Sequence, residues 1–213
     1  MKKKESKPGL RAIAVHQYWH ADVTQFKTLD NITSHIYIVE DNYSRYILSW
    51  AVSLELKAEL RLKTIKQALN QFILPRIQNG KERDVNLIVD KGSENNNTIM
   101  NTFCNSLENP IKKLVALKHI RFSNSMVEAV NKIVKYRFLY NISLPDFKAL
   151  KNYLEKAIPL YNNIMPHGAL GGIPPVDALN GESIDKYNVK EKMENARKLR
   201  IIENKKTNCE ICK

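Results

Sequence analysis

Between Gln17 and Leu54 the apolar residues follow strand chemistry, and from residue 58 they follow a helical period. That switch restricts the chain to an α/β arrangement. Trp19 to Phe26 and His35 to Val39 read as strands. Asp41-Asn42-Tyr43-Ser44-Arg45 has turn chemistry, and Tyr46 to Leu54 reads as a third strand, which together predict an antiparallel meander. In 58–78, Leu62, Ile65, Leu69, Phe72, Ile73 and Ile77 recur at helical spacing, and Gly80 ends the run. Val85 to Val89 is a short apolar run that stops at Asp90-Lys91-Gly92, the pattern of a buried strand entering a tight turn. A short helix over Thr98–Leu107, a last strand over Lys113–Leu117 and amphipathic helices over Ser125–Leu139 and Pro145–Asn162 complete the order. The expectation is a mixed sheet flanked by helices. Met165 to Pro175 is turn-rich and is expected to wrap over the core, and 184–204 carries mixed charges at helical spacing. The implied division is a basic linker at 1–13, a core at 14–180 and a charged C-terminal tail at 181–213.

Lys and Arg total 34 against 22 acidic residues, a net charge of +12. Such a surplus suits a polyanionic partner, most commonly nucleic acid. No apolar run is long enough for a membrane span, and the basic start Met1–Pro8 has no apolar stretch behind it, so neither a span nor a signal peptide is expected. Three cysteines make no disulfide framework in a chain of this length, which points to a reducing compartment, the cytoplasm. Cys209-x-x-Cys212 supplies half a zinc site, or a frayed tail, and Cys104 reads as a buried thiol.

Three acids stand out against this background. Asp22 interrupts an apolar strand, Asp90 ends a buried one, and Glu128 opens a helix. An acid in or at the end of a core strand is costly unless it is paired, neutral or bound to a cation. Carboxylates without nitrogen or sulfur ligands are what Mg²⁺ or Mn²⁺ requires, and two such ions catalyse phosphodiester chemistry without a protein nucleophile. Each acid also has a plain structural reading. Asp22 would be half of a buried ion pair, Asp90 with Gly92 a turn former, and Glu128 the glutamate of the Ser125-Met126-Val127-Glu128 capping box.

The motifs around these acids extend the pattern. Trp19-x-x-Asp22-x-Thr24 resembles the first catalytic strand of the superfamily of retroviral integrases and insertion-sequence transposases. Asp41-x-x-Ser44-Arg45-x-Ile47-x-x-Trp50 is similar to its second and third strands. Asp90-x-Gly92-x-Glu94 resembles the second acid with its turn, and Asn124-x-x-x-Glu128 the third acid on its helix. Tyr161-Asn162, Pro166-His167, Leu170-Gly171-Gly172 and Pro174-Pro175 resemble the segment that closes the core in bacterial members. Any one motif is weak alone; in this order, from Gln17 to Leu179, they are specific. The resemblance implies an RNase H-like fold, a five-stranded mixed sheet with helices on both faces. It also implies a DDE-type recombinase that cuts and joins DNA strands with two Mg²⁺ or Mn²⁺ ions on Asp22, Asp90 and Glu128. Element ends and target DNA would be its partners, in a homo-oligomeric synaptic complex at the bacterial nucleoid. Asp90 and Glu128 stand 38 positions apart (128 − 90), slightly longer than the family's usual spacing. Lys91 replaces a small polar residue, and no aromatic follows Glu94.

On a helix, Lys132 and Lys135 share a stripe with Glu128, Asn131 lies beside it, and Val130, Ile133 and Val134 fall opposite. The resemblance makes Lys132, Lys135, Asn131 and Lys91 candidate DNA contacts; the plain reading is a Glu–Lys pair on a solvated face. His20 shares the Asp22 strand face and is expected to pack, and His167 to order the closing turn. No helix-turn-helix precedes residue 17, so recognition of DNA ends is expected from another segment or a separate subunit. Two rival functions stay open: an RNase H-like nuclease that only hydrolyses, and a catalytically silent DNA-binding or assembly module.

Overall fold

The computed structural model describes residues 10–80, 84–90, 98–105, 111–115, 125–182 and 186–206. Lys91, Gly92, Glu94, Asn124, Cys209 and Cys212 lie outside the described residues.

Five strands form one mixed sheet. They are β1 (Tyr18–Lys27), β2 (Thr33–Asp41), β3 (Ile47–Ser53), β4 (Val85–Val89) and β5 (Ile111–Val115), in the spatial order β3-β2-β1-β4-β5. The meander β1–β2–β3 is antiparallel, while β4 runs parallel to β1 and β5 parallel to β4. The last strand starts two residues earlier than the sequence suggests, because Ile111 is the buried residue that anchors it opposite Val85.

The helices are α1 (Ala58–Ala68), α2 (Leu74–Gln78), α3 (Thr98–Cys104), α4 (Ser125–Ile133), α5 (Phe147–Asn163), α6 (Pro175–Leu179) and α7 (Lys186–Lys206). A π-helical turn, Leu69–Ile73, joins α1 to α2 immediately before Pro75. Proline has no N–H to donate, so a looser turn at this point accommodates it. A second π turn, Val134–Leu139, extends α4. The charged tail is helical over α7, and its described side chains are exposed.

Alternation along β1 sends its side chains to two cores. Trp19 and Ala21 join Val39, Leu48, Leu87, Val89 and the α1–α3 side. Phe26 joins Ile36, Ile38 and Ile47 under Val127, Val130 and Val134 of the α4 helix and Leu150, Leu154 and Tyr161 of α5. The sheet is therefore covered on both faces, as expected. Cys104 is only half-buried at the margin of the first of these cores.

The closing segment grips the edge strand. Asn162 Nδ2 donates to Ile47 O and Asn162 Oδ1 accepts from Ile47 N, both at 2.9 Å, so one side chain imitates a strand neighbour. Tyr161 Oη donates to Arg45 O at 2.9 Å. Asp41 organises the turn before β3, accepting from His16 N, Ser44 N and Ser44 Oγ. His167 Nδ1 accepts from Ala169 N at 3.3 Å, the turn-ordering role its position suggests. Among the described residues no helix is long and apolar enough to cross a membrane.

Candidate active site

Parallel pairing of β1 and β4 runs from Tyr18↔Asn86 to Ala21↔Val89, and the next residues along the two chains are Asp22 and Asp90. Both acids thus stand at one level of adjacent strands. Asp22 points to the face that α4 covers, with His20, Thr24 and Phe26. Glu128 lies in the first turn of α4 and is exposed, while its neighbours Val127 and Val130 are buried against the sheet.

The electrostatics of Asp22 record how the three converge. Burial pushes its carboxyl up to about 6. The Val23 backbone N–H and the Arg61 guanidinium act the other way, and the charges of Asp90 and Glu128 add to the rise. Three acids therefore share one field around Asp22. Among the described residues, no three His, Cys, Asp or Glu side chains stand close enough together to enclose an ion as they are. The donor set itself is hard oxygen without nitrogen or sulfur, which fits Mg²⁺ or Mn²⁺ in kind.

Asn131 is turned further inward than the helical stripe implies. It is 6% exposed, and its Nδ2 donates to Asp22 Oδ2 at 2.8 Å. That places Asn131 as a positioning partner of the acid, not on the open face with Lys132. Lys132 is exposed, whereas Lys135 is half-buried. Burial draws the Lys135 ammonium down from its usual range, and the Asp22 carboxylate opposes that. Lys135 is thus the lysine that faces Asp22. His20 is fully buried and pairs with Asn42, His20 Nε2 to Asn42 Nδ2 at 2.8 Å, so it packs as expected.

Two charged residues escape a reading of the sequence. Arg61 is 1% exposed on α1 and contributes a cation to the field at Asp22. Its spacing of four and seven residues to buried Ile65 and Ala68 sets it on the inward stripe of the helix, a signal that its charge obscures. Glu40 is fully buried on β2, opposite His20. Arg45 Nη1 lies 4.0 Å from its Oε1, an ion pair by distance, yet neither Glu40 oxygen has a hydrogen-bond partner. Burial wins over that long contact and raises the carboxyl to about 8.

Residues 119–175 match the family model for the integrase core domain. That segment of the chain is similar to the integrase core domain. The matched segment holds Glu128, Asn131, Lys132, Lys135 and the closing turn. Solved structures agree on the fold. A chain in the cryo-EM structure of the simian T-cell lymphotropic virus intasome, in complex with PP2A regulatory subunit B56 gamma, superposes with a TM-score of 0.64 at 17% identity. The match covers 83% of this chain and 59% of that one. The HTLV-2 integrase catalytic core domain, solved with magnesium in a trimeric form, gives 0.58 at 20% identity over 79% of this chain and 99% of that one. The BIV integrase catalytic core gives 0.56 at 16% identity over 78% and 95%. The fold of this chain is accordingly RNase H-like. The comparison with curated proteins gives no match.

Proposed function

We propose that this chain is a DNA recombinase of the transposase/integrase kind, which cleaves phosphodiesters at DNA ends and joins them to target DNA. Asp22, Asp90 and Glu128 would hold two Mg²⁺ or Mn²⁺ ions. When bound by such carboxylates, divalent ions supply activation of an attacking oxygen and stabilisation of a leaving one. The observation that carries the reading is the common field at Asp22: its carboxyl is raised by burial and by the charges of both Asp90 and Glu128.

The chain's own residues divide the remaining work. Asn131 holds the orientation of Asp22 by its 2.8 Å hydrogen bond. Lys135, and Lys132 one turn earlier, supply cations toward phosphate, for which a long-reaching ammonium is suited. Lys91 is a further DNA contact in this reading. The +12 charge supports DNA as the partner. A homo-oligomer assembled on DNA ends is in keeping with the dimeric and trimeric HTLV-2 cores and with the intasome, and end recognition would come from another segment or subunit. The working domain is 14–180, between a basic linker and the tail, acting at the bacterial nucleoid.

Incubation of labelled DNA ends with target plasmid, in Mg²⁺ or in EDTA, tests this. Metal-dependent strand-transfer product is expected. Hydrolysis without joining would indicate a nuclease, and binding without either product a silent assembly module.

A further inference from the structure

Beyond Lys135, the helix that carries Glu128 ends in two aromatic residues that the proposed site does not use. Tyr136 is 67% exposed and Tyr140 56% exposed. Their rings meet edge to face, 5.2 Å between centroids at 76°, and Tyr140 leans on Phe26 at 5.9 Å. Asn141 Nδ2 donates to the carbonyls of both Tyr136 and Arg137, which pins the end of the helix and the ring bearing on it.

The winding of the helix lines these rings up with the acid. Glu128, Lys132, Tyr136 and Tyr140 recur every fourth residue, and all are exposed. In an uninterrupted α-helix such a row drifts by about 40° per step. The π turn Val134–Leu139 winds less per residue, which counteracts the drift over the tyrosines. The result is one row that runs from carboxylate to cation to two aromatics.

Aromatic faces beside cations are the chemistry that holds unpaired nucleotides: bases stack on the rings while phosphates meet the charges. Lys132 and Lys135 supply those charges. A second protein copy is disfavoured as the occupant, because the cores of protein interfaces are depleted of lysine, the cation of this row. A paired duplex hides the faces of its bases. We propose that Tyr136 and Tyr140 form a stacking platform for unpaired nucleotides at a DNA end, two to three turns along the helix from Glu128. The proposal rests on the recombinase reading for the presence of a DNA end, and extends it by selecting single-stranded over paired DNA.

The test is equilibrium binding of the full chain, in EDTA, to a labelled oligo-dT strand and to a blunt duplex of the same length. Tyr136→Ala and Tyr140→Ala should each weaken single-strand binding on the order of tenfold and leave duplex binding unchanged. Tyr136→Phe, which keeps the ring, should bind like the wild type. Equal losses on both DNAs, no loss on either, or no single-strand binding by the wild type would overturn the platform. So would light scattering that shows the Ala variants dissociating an oligomer while their single-strand affinity is kept. Because the readout is binding without metal, it is separable from the acids. Normal cleavage by Asp22→Asn, Asp90→Asn and Glu128→Gln would defeat the recombinase reading while leaving the tyrosine result standing, and the converse holds.

Discussion

Asn131 and Asp22 meet at 2.8 Å across 109 positions of sequence, the amide of a helix donating to the carboxylate of the central strand. This contact ties the α4 helix to the level at which two of the acids stand. Asn131→Ala should cost about 1 kcal/mol of stability through removal of the hydrogen bond. It should lower strand cleavage far more, roughly tenfold to a hundredfold, as removal of an orienting partner does. Thermal melts and cleavage rates on the same variant check both; equal rates would show that the contact is only structural.

The three acids should behave as one unit in catalysis and differently in stability. Asp22→Asn, Asp90→Asn and Glu128→Gln should each abolish cleavage with the fold kept. For Asp22 the folded carboxyl titrates at about 6 against an ordinary 3.8, so the native state holds its proton more tightly. Stability therefore falls as pH rises from about 4 to 6, and Asp22→Asn should recover up to about 3 kcal/mol of it at neutral pH. A higher melting temperature with no cleavage is the expected pair of results. A Glu128→Gln variant that cleaves normally in Mg²⁺ would remove Glu128 from the assignment.

Glu40 gives a second pH signature, away from the acids. Its folded value is about 8 against an ordinary 4.5, so stability falls as pH rises through that interval. Glu40→Gln keeps the shape without the charge and should flatten this slope, stabilising the protein at pH 8 by a few kcal/mol. Denaturant titrations from pH 5 to pH 9 measure it. An unchanged slope in the variant would mean that Glu40 is ionised and paired with Arg45.

Lys132 and Lys135 should separate surface charge from substrate binding. Alanine at either should weaken DNA binding and reduce the salt slope by about 1 for each phosphate that is no longer neutralised. Stability at the exposed Lys132 should change by about half a kcal/mol or less. Fluorescence titrations over several salt concentrations decide the matter; identical slopes would leave the lysines as solvated surface.

Much of this is legible in the sequence for a physical reason. Trp19, Ala21 and Phe26 alternate around Asp22, so the strand, its two faces and the misplaced acid are readable together. Val85–Val89 ends at Asp90 in the structure as in the sequence. The two π turns are not legible, because a looser turn keeps the same apolar residues inside and leaves the periodicity almost intact. Helical spacing alone therefore sets Asn131 beside the lysine stripe, whereas its burial follows from α4 facing the sheet through Val127, Val130 and Val134. Arg61 and Glu40 stay hidden because charge type says nothing about depth. Only the packing of α1 on the sheet and of α5 against β3 buries them.

The level pairing of Ala21 with Val89 makes the acids mechanically unequal. Asp22 and Asp90 are like marks on one rail, their spacing set by a backbone ladder that admits only whole-residue steps. Glu128 rides on a separate carriage, held by the thickness of the methyl groups beneath its helix. Trimming one of those, as in Val130→Ala, should therefore move the third carboxylate by a fraction of an ångström and retune affinity for divalent ions without removing a ligand. The packing under this helix is a fine adjustment, and the sheet is the fixed scale against which it works.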